Sequence, residues 1–262
     1  NYRDANAKPE LVCALEAFHA LVGFRTPASI QSSFATVAGV DAPTELALSI
    51  ALPEGEALRR FMARLFALNA AERSALLERA VSFASRRATT CVEARWIVDL
   101  AARYPGDVGA LAPLFLHVVA LSPGDALFLD PGVLHAYLFG TAIEIMGNSD
   151  NVLRGGLTKK HVDVPELMAT VAFSARAPTI LRPVAISPTE RGYLTPAREF
   201  ALSIVETSED RSHVARDRFG PEIVLCIDGE HAVIAEDEKA RLVIRCGECA
   251  FISASAGTYR VE

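Results

Sequence analysis

FLHVVALSPGDALFLDPGVLHAYLFG, residues 115–140, sets short apolar runs between two Pro-Gly turns. The runs at 115–121 and 126–129 flank Ser122-Pro-Gly-Asp125, and Asp130-Pro-Gly132 closes the second run just before His135. Proline presets one turn dihedral and glycine takes the conformation that other residues resist, so the pattern reads as strand, turn, strand, turn. Short strands punctuated in this way suggest a jelly roll. Upstream, residues 10–24 alternate, with Val12, Ala14, Phe18, Ala20 and Val22 as inward positions, and the segment ends at Gly23-Phe24-Arg25. Beyond Pro188 the same grammar returns in runs at 222–227, 231–234, 241–245 and 250–253, with a turn at Asp228-Gly-Glu230 and a charged loop after Ile234. LSPGDALFLDPG at 121–132 and IRCGECAFISAS at 244–255 form a weak internal repeat, as expected of two sandwich units.

Between the strand-like regions the apolar period changes to three and four. Leu58, Phe61, Met62, Leu65 and Phe66 form one helical stripe, and Leu76, Leu77, Ala80, Val81 and Ala84 another. Asn69 followed by Glu72 has capping-box spacing. A third helix runs over 92–103, carries Trp96 and stops at the breaker cluster Tyr104-Pro105-Gly106-Asp107. A short helix is expected over 108–113, and another from Asp163, capped with Glu166, through Val171. The expected fold is therefore mainly β with an α-helical insertion. Its expected division is 1–35 and 111–187 for one β domain, 36–110 for a helical domain and 188–262 for a small C-terminal β domain.

Composition narrows the function. The chain has 262 residues, of which 51% are apolar and 22% charged, enough to bury a substantial core. A net charge of −6 and a pI near 5.6 argue against a nucleic-acid partner. No apolar run approaches the ~18–20 residues of a membrane span, so no membrane partner is expected. The five cysteines, at 13, 91, 226, 246 and 249, suit a reducing compartment, and the expected location is cytoplasmic. Cys246-Gly-Glu-Cys249 has redox or zinc spacing, but it sits between strand-like RLVIR and AFIS and reads as structural thiols in a hairpin.

The chemistry concentrates in HAYLFGTAIEIMGNSDNVLRGGLT, residues 135–158, where an imidazole, two carboxylates and a guanidinium share one polar run. This run, together with NYRDANAKPELVCALEAFHALVGFR at 1–25, resembles the type I mannose-6-phosphate isomerases, zinc enzymes of the cupin fold. The resemblance covers nearly all of this chain but part of a family member, so the chain is expected to be a C-terminal portion with two cupin-like units. It implies zinc (Zn2+) as cofactor, a phosphosugar as small-molecule substrate, and interconversion of mannose 6-phosphate and fructose 6-phosphate through a cis-enediol or enediolate.

Glu10 of the KPE block and His135 of the HAY block match two zinc ligands. The family's other two come from a glutamine and a histidine separated by one residue, whereas the only glutamine here, Gln31, is followed by Ser32 and Ser33. Arg154, before Gly155-Gly156, matches an active-site arginine that binds either phosphate or the enediolate. Lys8, Tyr137, Glu144, Asp150, Lys159 and Lys160 are further candidates, and the catalytic base stays unassigned. Glu144 alternates with Ile143 and Ile145, which aims it away from them and into the barrel. Ala7 stands where a histidine is usual in the family and His117 where an asparagine is usual, which leaves the sugar preference open. The reading from another class is a catalytically silent cupin module that binds a sugar or a protein.

Overall fold

The computed structural model describes residues 4, 6–216, 220–235 and 240–262, and the chain divides into two compact units. The first holds residues 1–182 and 197–200. Its strands are β1 (Glu10–Ala14), β2 (Phe18–Phe24), β3 (Leu116–Leu121), β4 (Ala126–Leu129), β5 (His135–Phe139), β6 (Ala142–Met146) and β7 (Ile180–Leu181). They form a four-stranded sheet in the order β6-β1-β4-β7 and a three-stranded sheet in the order β3-β2-β5, with every pairing antiparallel. The expected strand over 10–24 is two strands: a bend at residues 15–17 carries the chain from the first sheet to the second. The alternation survives the crossing. Val12, Ala14, Phe18, Ala20 and Val22 all enter one apolar cluster with Val119, Leu121, Leu127 and Leu129, so residues from both sheets share one core layer.

Helices α1 (Pro27–Ser33), α2 (Ala42–Glu45), α3 (Glu54–Phe66), α4 (Ala70–Ser85) and α5 (Val92–Arg103) lie between β2 and β3 in the chain, followed by a 3-10 segment over Val108–Leu114. Helix α6 (Val164–Thr170) follows β6. Leu58, Phe61, Met62 and Leu65 of α3 and Leu76, Leu77, Ala80 and Ala84 of α4 are buried in a second cluster that includes Leu21, Leu116 and Leu138 from the three-stranded sheet. Burying one such large side chain contributes on the order of 1.5–3 kcal/mol. The β3-β2-β5 sheet thus sits between the helices on one face and the other sheet on its inner face.

The capping box is formed in full: the Asn69 side chain accepts from Glu72 N at 3.0 Å, and Glu72 accepts from Asn69 N at 2.9 Å. The Arg64 guanidinium, 2.8 Å from Glu72, and then the Asn69 amide hold the Glu72 carboxyl below its usual pKa. A carboxyl depressed in the folded state contributes stability above its unfolded pKa and loses it as pH falls through the folded value. Glu72→Gln should therefore melt below wild type at neutral pH, and the gap should close in acid. A gap in melting temperature that stays constant down to acid pH would contradict the pairing.

The second unit, residues 183–196 and 201–262, contains β8 (Val184–Ser187), β9 (Glu190–Gly192), β10 (Ser203–Val205), β11 (His213–Ala215), β12 (Glu222–Leu225), β13 (Glu230–Ala235), β14 (Arg241–Arg245), β15 (Cys249–Ile252) and β16 (Tyr259–Val261). They form sheets in the orders β10-β9-β8, β11-β16-β13-β14 and β12-β15 around Cys226, Val233, Ile244, Ala250, Tyr259 and Val261. The charged loop after Ile234 falls largely at 236–239, outside the described residues. Cys246 to Cys249 is not a hairpin turn, because β14 pairs with β13 while β15 pairs with β12, so the turn joins two sheets. Its thiols are free, and Cys246 donates to Ile227 O at 3.3 Å.

Candidate active site

Strand register gathers the candidate residues. On β1, Glu10 and Val12 share a face, and Glu144 of β6 lies opposite Val12. Because Val12 is in the layer between the sheets, Glu10 and Glu144 stand on that inner face too. On β5, His135 lies opposite Val22 and Tyr137 opposite Ala20, both members of the same layer. Ala136 and Leu138, one residue out of phase, join the helical core instead. Glu10 and His135 begin β1 and β5, whereas Glu144 and Tyr137 stand beside members of the apolar layer on β6 and β5, the outer strands of the two sheets. His117 of β3 lies opposite Val22 from the other side, so it belongs to the same row as His135. Burial and then the charge of Arg25 push His117 down in pKa and favour its neutral form.

His135 Nε2 lies 3.2 Å from Glu10 Oε2, and the two side chains are 29% and 14% exposed. The other ring nitrogen, Nδ1, donates to Val133 O at 2.9 Å. That bond fixes the tautomer: with Nδ1 carrying the proton, Nε2 either donates a second proton to Glu10 or shares a cation with it. The hydrogen bond from His135 holds the Glu10 carboxyl low even against partial burial. Burial alone would lower the His135 pKa, but the bonds to Glu10 and Val133 outweigh it and raise it. An imidazole anchored through one nitrogen on a backbone carbonyl, with its other nitrogen facing a carboxylate, has the chemistry of a metal donor pair. Among the described residues, no group of three or more His, Cys, Asp or Glu side chains is placed to hold a metal ion, so this pair alone does not complete a metal site.

Lys8 Nζ stands 3.6 Å from Glu10 Oε1 with its side chain 14% exposed, so it is not a freely solvated lysine. The Tyr137 hydroxyl donates to Glu144 Oε1 at 2.5 Å. Burial around that hydroxyl and then the Glu144 carboxylate push its pKa far up, although the residue as a whole is 38% exposed, and it stays protonated. Tyr137 is thus a hydrogen-bond donor.

The remaining candidates sit on the irregular segment after β6. Arg154 is half-buried and has no hydrogen-bond or ion-pair partner among the described residues. Asp150, Lys159 and Lys160 are exposed, and Asp150 makes no ion pair with Arg154. A cavity of about 450 Å³ borders Lys8, Glu10, His135, Leu153, Gly155 and Gly156, whereas Arg154, Tyr137 and Glu144 are outside its lining. Other residues organise the segment without standing out in sequence. Ser149 Oγ and Asn151 Nδ2 donate to the Asp4 carboxylate, and Gly147 N donates to Pro9 O at 2.9 Å, which ties this segment to the stretch carrying Lys8. The Val133 carbonyl is equally silent, because it acts through its backbone.

Strands, helical insertion and site together define a mainly β protein with a paired imidazole and carboxylate at one end of a sandwich. Mannose-6-phosphate isomerase of Salmonella typhimurium is 39% identical over 255 residues, 97% of this chain and 63% of the relative. The enzyme of that name from Escherichia coli is 36% identical over 266 residues, 100% of this chain and 65% of the relative. Among solved structures, a glutamate-to-alanine mutant of phosphomannose isomerase from Salmonella typhimurium matches with a TM-score of 0.85 at 34% identity, over 100% of this chain and 66% of that one. A zinc-bound mannose 6-phosphate isomerase matches at 0.82 and 34% identity, over 100% and 67%. No protein-family model matches the chain. The chain belongs to the mannose-6-phosphate isomerase family. It spans just under two thirds of the length of these two curated relatives.

Proposed function

We propose that this chain carries part of the active site of a zinc-dependent aldose–ketose isomerase acting on mannose 6-phosphate and fructose 6-phosphate. The observation that carries the proposal is the 3.2 Å approach of His135 Nε2 to Glu10 Oε2 with His135 Nδ1 already committed to Val133. Tetrahedral zinc takes four donors, or three and a water, so Glu10 and His135 need partners, and the family's Gln-x-His pair has the right chemistry. When bound, zinc supplies a Lewis acid beside the sugar carbonyl.

The chain's own residues do the rest. Isomerisation moves a proton between neighbouring carbons through an enediol or enediolate, so the sugar must be held in register while charge develops. Arg154, with no protein anion engaging it among the described residues, offers two parallel donors to an anionic oxygen of the substrate. Lys8 adds a cation on the Glu10 side of the cavity. Tyr137 keeps its proton and fixes the Glu144 carboxylate on the inner face. Lys160 and Asp150 are exposed on the segment that carries Arg154, and in this reading the lysine attracts phosphate. In this reading residues 1–35 and 111–187 build the site-bearing domain, 36–110 the helical domain and 188–262 the small C-terminal domain, and the free thiols suit the cytoplasm.

A coupled assay of mannose 6-phosphate conversion with added zinc tests the function. The 262-residue chain alone, with two donors of four, should turn over slowly, and protein that carries the Gln-x-His donors together with this chain should turn over fast. Absence of turnover in the latter would favour a silent sugar-binding module. Fast turnover by the verified 262-residue chain would make the extra donors dispensable.

A further inference from the structure

Arg154 has no side-chain partner among the described residues, so its position depends on the backbone that carries it. Three residues on, Leu157 has φ +53°, in the left-handed region that a leucine resists, and Gly156 has φ +132°. Something must hold that backbone. Asp107, 50 residues earlier at the end of the helical insertion, does so with both carboxylate oxygens: Oδ2 accepts from Leu157 N at 2.7 Å, and Oδ1 accepts from Gly109 N at 2.7 Å. One carboxylate thereby caps the 3-10 segment and clamps the Arg154 loop to it.

The surroundings leave no slack. A Cβ on Gly109 would lie 2.9 Å from Asp107 Oδ1 and 3.0 Å from Leu157 N, and one on Gly156 would lie 3.2 Å from Asp107 Oδ1. Leu157 itself is half-buried against the helical core, which anchors the loop from its other side. The breaker cluster that ends α5 and the Gly156-Leu157 backbone after Arg154 therefore meet at a single carboxylate.

We propose that Asp107 is a positioning residue for Arg154, acting from the helical insertion on the phosphosugar site. The proposal rests on the isomerase reading above. Asparagine at 107 keeps one acceptor but turns an amide toward the other backbone N–H, so it releases one end of the clamp. Gly109→Ala leaves the carboxylate chemically intact but crowds the same contact, its Cβ pressing on Asp107 Oδ1 and Leu157 N.

The test is a double-mutant cycle on kcat/KM in zinc-loaded protein that carries the Gln-x-His donors as well as this chain. Displacing a reacting group by about 1 Å costs on the order of 100-fold, so Asp107→Asn and Gly109→Ala should each lower kcat/KM by about that factor. In an Arg154→Ala background both should cost nothing more, because their effect passes through the guanidinium. A purely structural role would instead give losses that multiply. If Asp107→Asn fails to fold, the Gly109→Ala cycle decides. Wild-type kcat/KM in either variant, or full additivity with Arg154→Ala, overturns the positioning role and leaves the isomerase reading standing. Unchanged turnover in Arg154→Ala overturns the role of Arg154, and the clamp's function with it.

Discussion

Replacing His135 with alanine should strip zinc from protein that carries the Gln-x-His donors and abolish most of its turnover. The imidazole presents one nitrogen to Glu10 at 3.2 Å and is held by Val133 through the other, so its loss removes a donor and the hydrogen bond that most lowers the Glu10 carboxyl pKa. Loss of a supporting hydrogen bond alone typically weakens a metal site by about 10- to 100-fold, and removing a ligand should exceed that. Glu10→Ala should have a similar effect, and the double variant should be little worse than either, since both act on one ion. Lys8→Ala separates the metal from the substrate. Its ammonium is 3.6 Å from Glu10 Oε1, on the cavity side, so zinc should stay bound while KM for mannose 6-phosphate rises. Metal analysis of dialysed protein, read beside the coupled assay, checks all three variants. Full zinc content in His135→Ala would remove it from the site.

Arg154→Lys should depress kcat by about 100-fold, the scale seen when one preorganised donor to a developing oxyanion is removed. Lysine keeps the charge but loses the planar pair of donors. The melting temperature should hardly move, because no ion pair or hydrogen bond of Arg154 exists among the described residues to be lost. Steady-state kinetics beside a thermal melt distinguish the cases. A large fall in melting temperature with kcat preserved would make Arg154 a structural residue.

Much of the fold was written locally. The Pro-Gly turns at 122–125 and 130–132 delimit β4 at Ala126–Leu129, and the three-and-four spacing of Leu58, Phe61, Met62 and Leu65 marks the buried stripe of α3. The capping pair Asn69 and Glu72 starts α4, because cap chemistry involves residues three apart. What stayed hidden was the sheet to which each strand belongs. Leu15-Glu16-Ala17 contains neither glycine nor proline, yet the chain changes sheets there, so a single alternating run became β1 and β2. Cys246 to Cys249 misled in the opposite sense, since its turn separates strands of different sheets.

The site divides along similar lines. The KPE and HAY blocks carry Lys8, Glu10 and His135, and their meeting follows from the β1 and β2 registers once the two sheets face each other. Glu144 follows from simple alternation with Ile143 and Ile145. The Val133 carbonyl carries no side-chain signal at all. Asp107 read only as part of a helix stop, because its second partner, Leu157 N, is 50 residues away and is reached through the fold. Asp4 meets Ser149 and Asn151 in the same nonlocal way.

The most direct test of the central claim is an anomalous difference map at the zinc edge from crystals of protein that carries this chain with the Gln-x-His donors. A peak about 2.0–2.1 Å from His135 Nε2 and about 2.0–2.2 Å from a Glu10 carboxylate oxygen is the predicted result. A bound zinc peak away from both residues would contradict it.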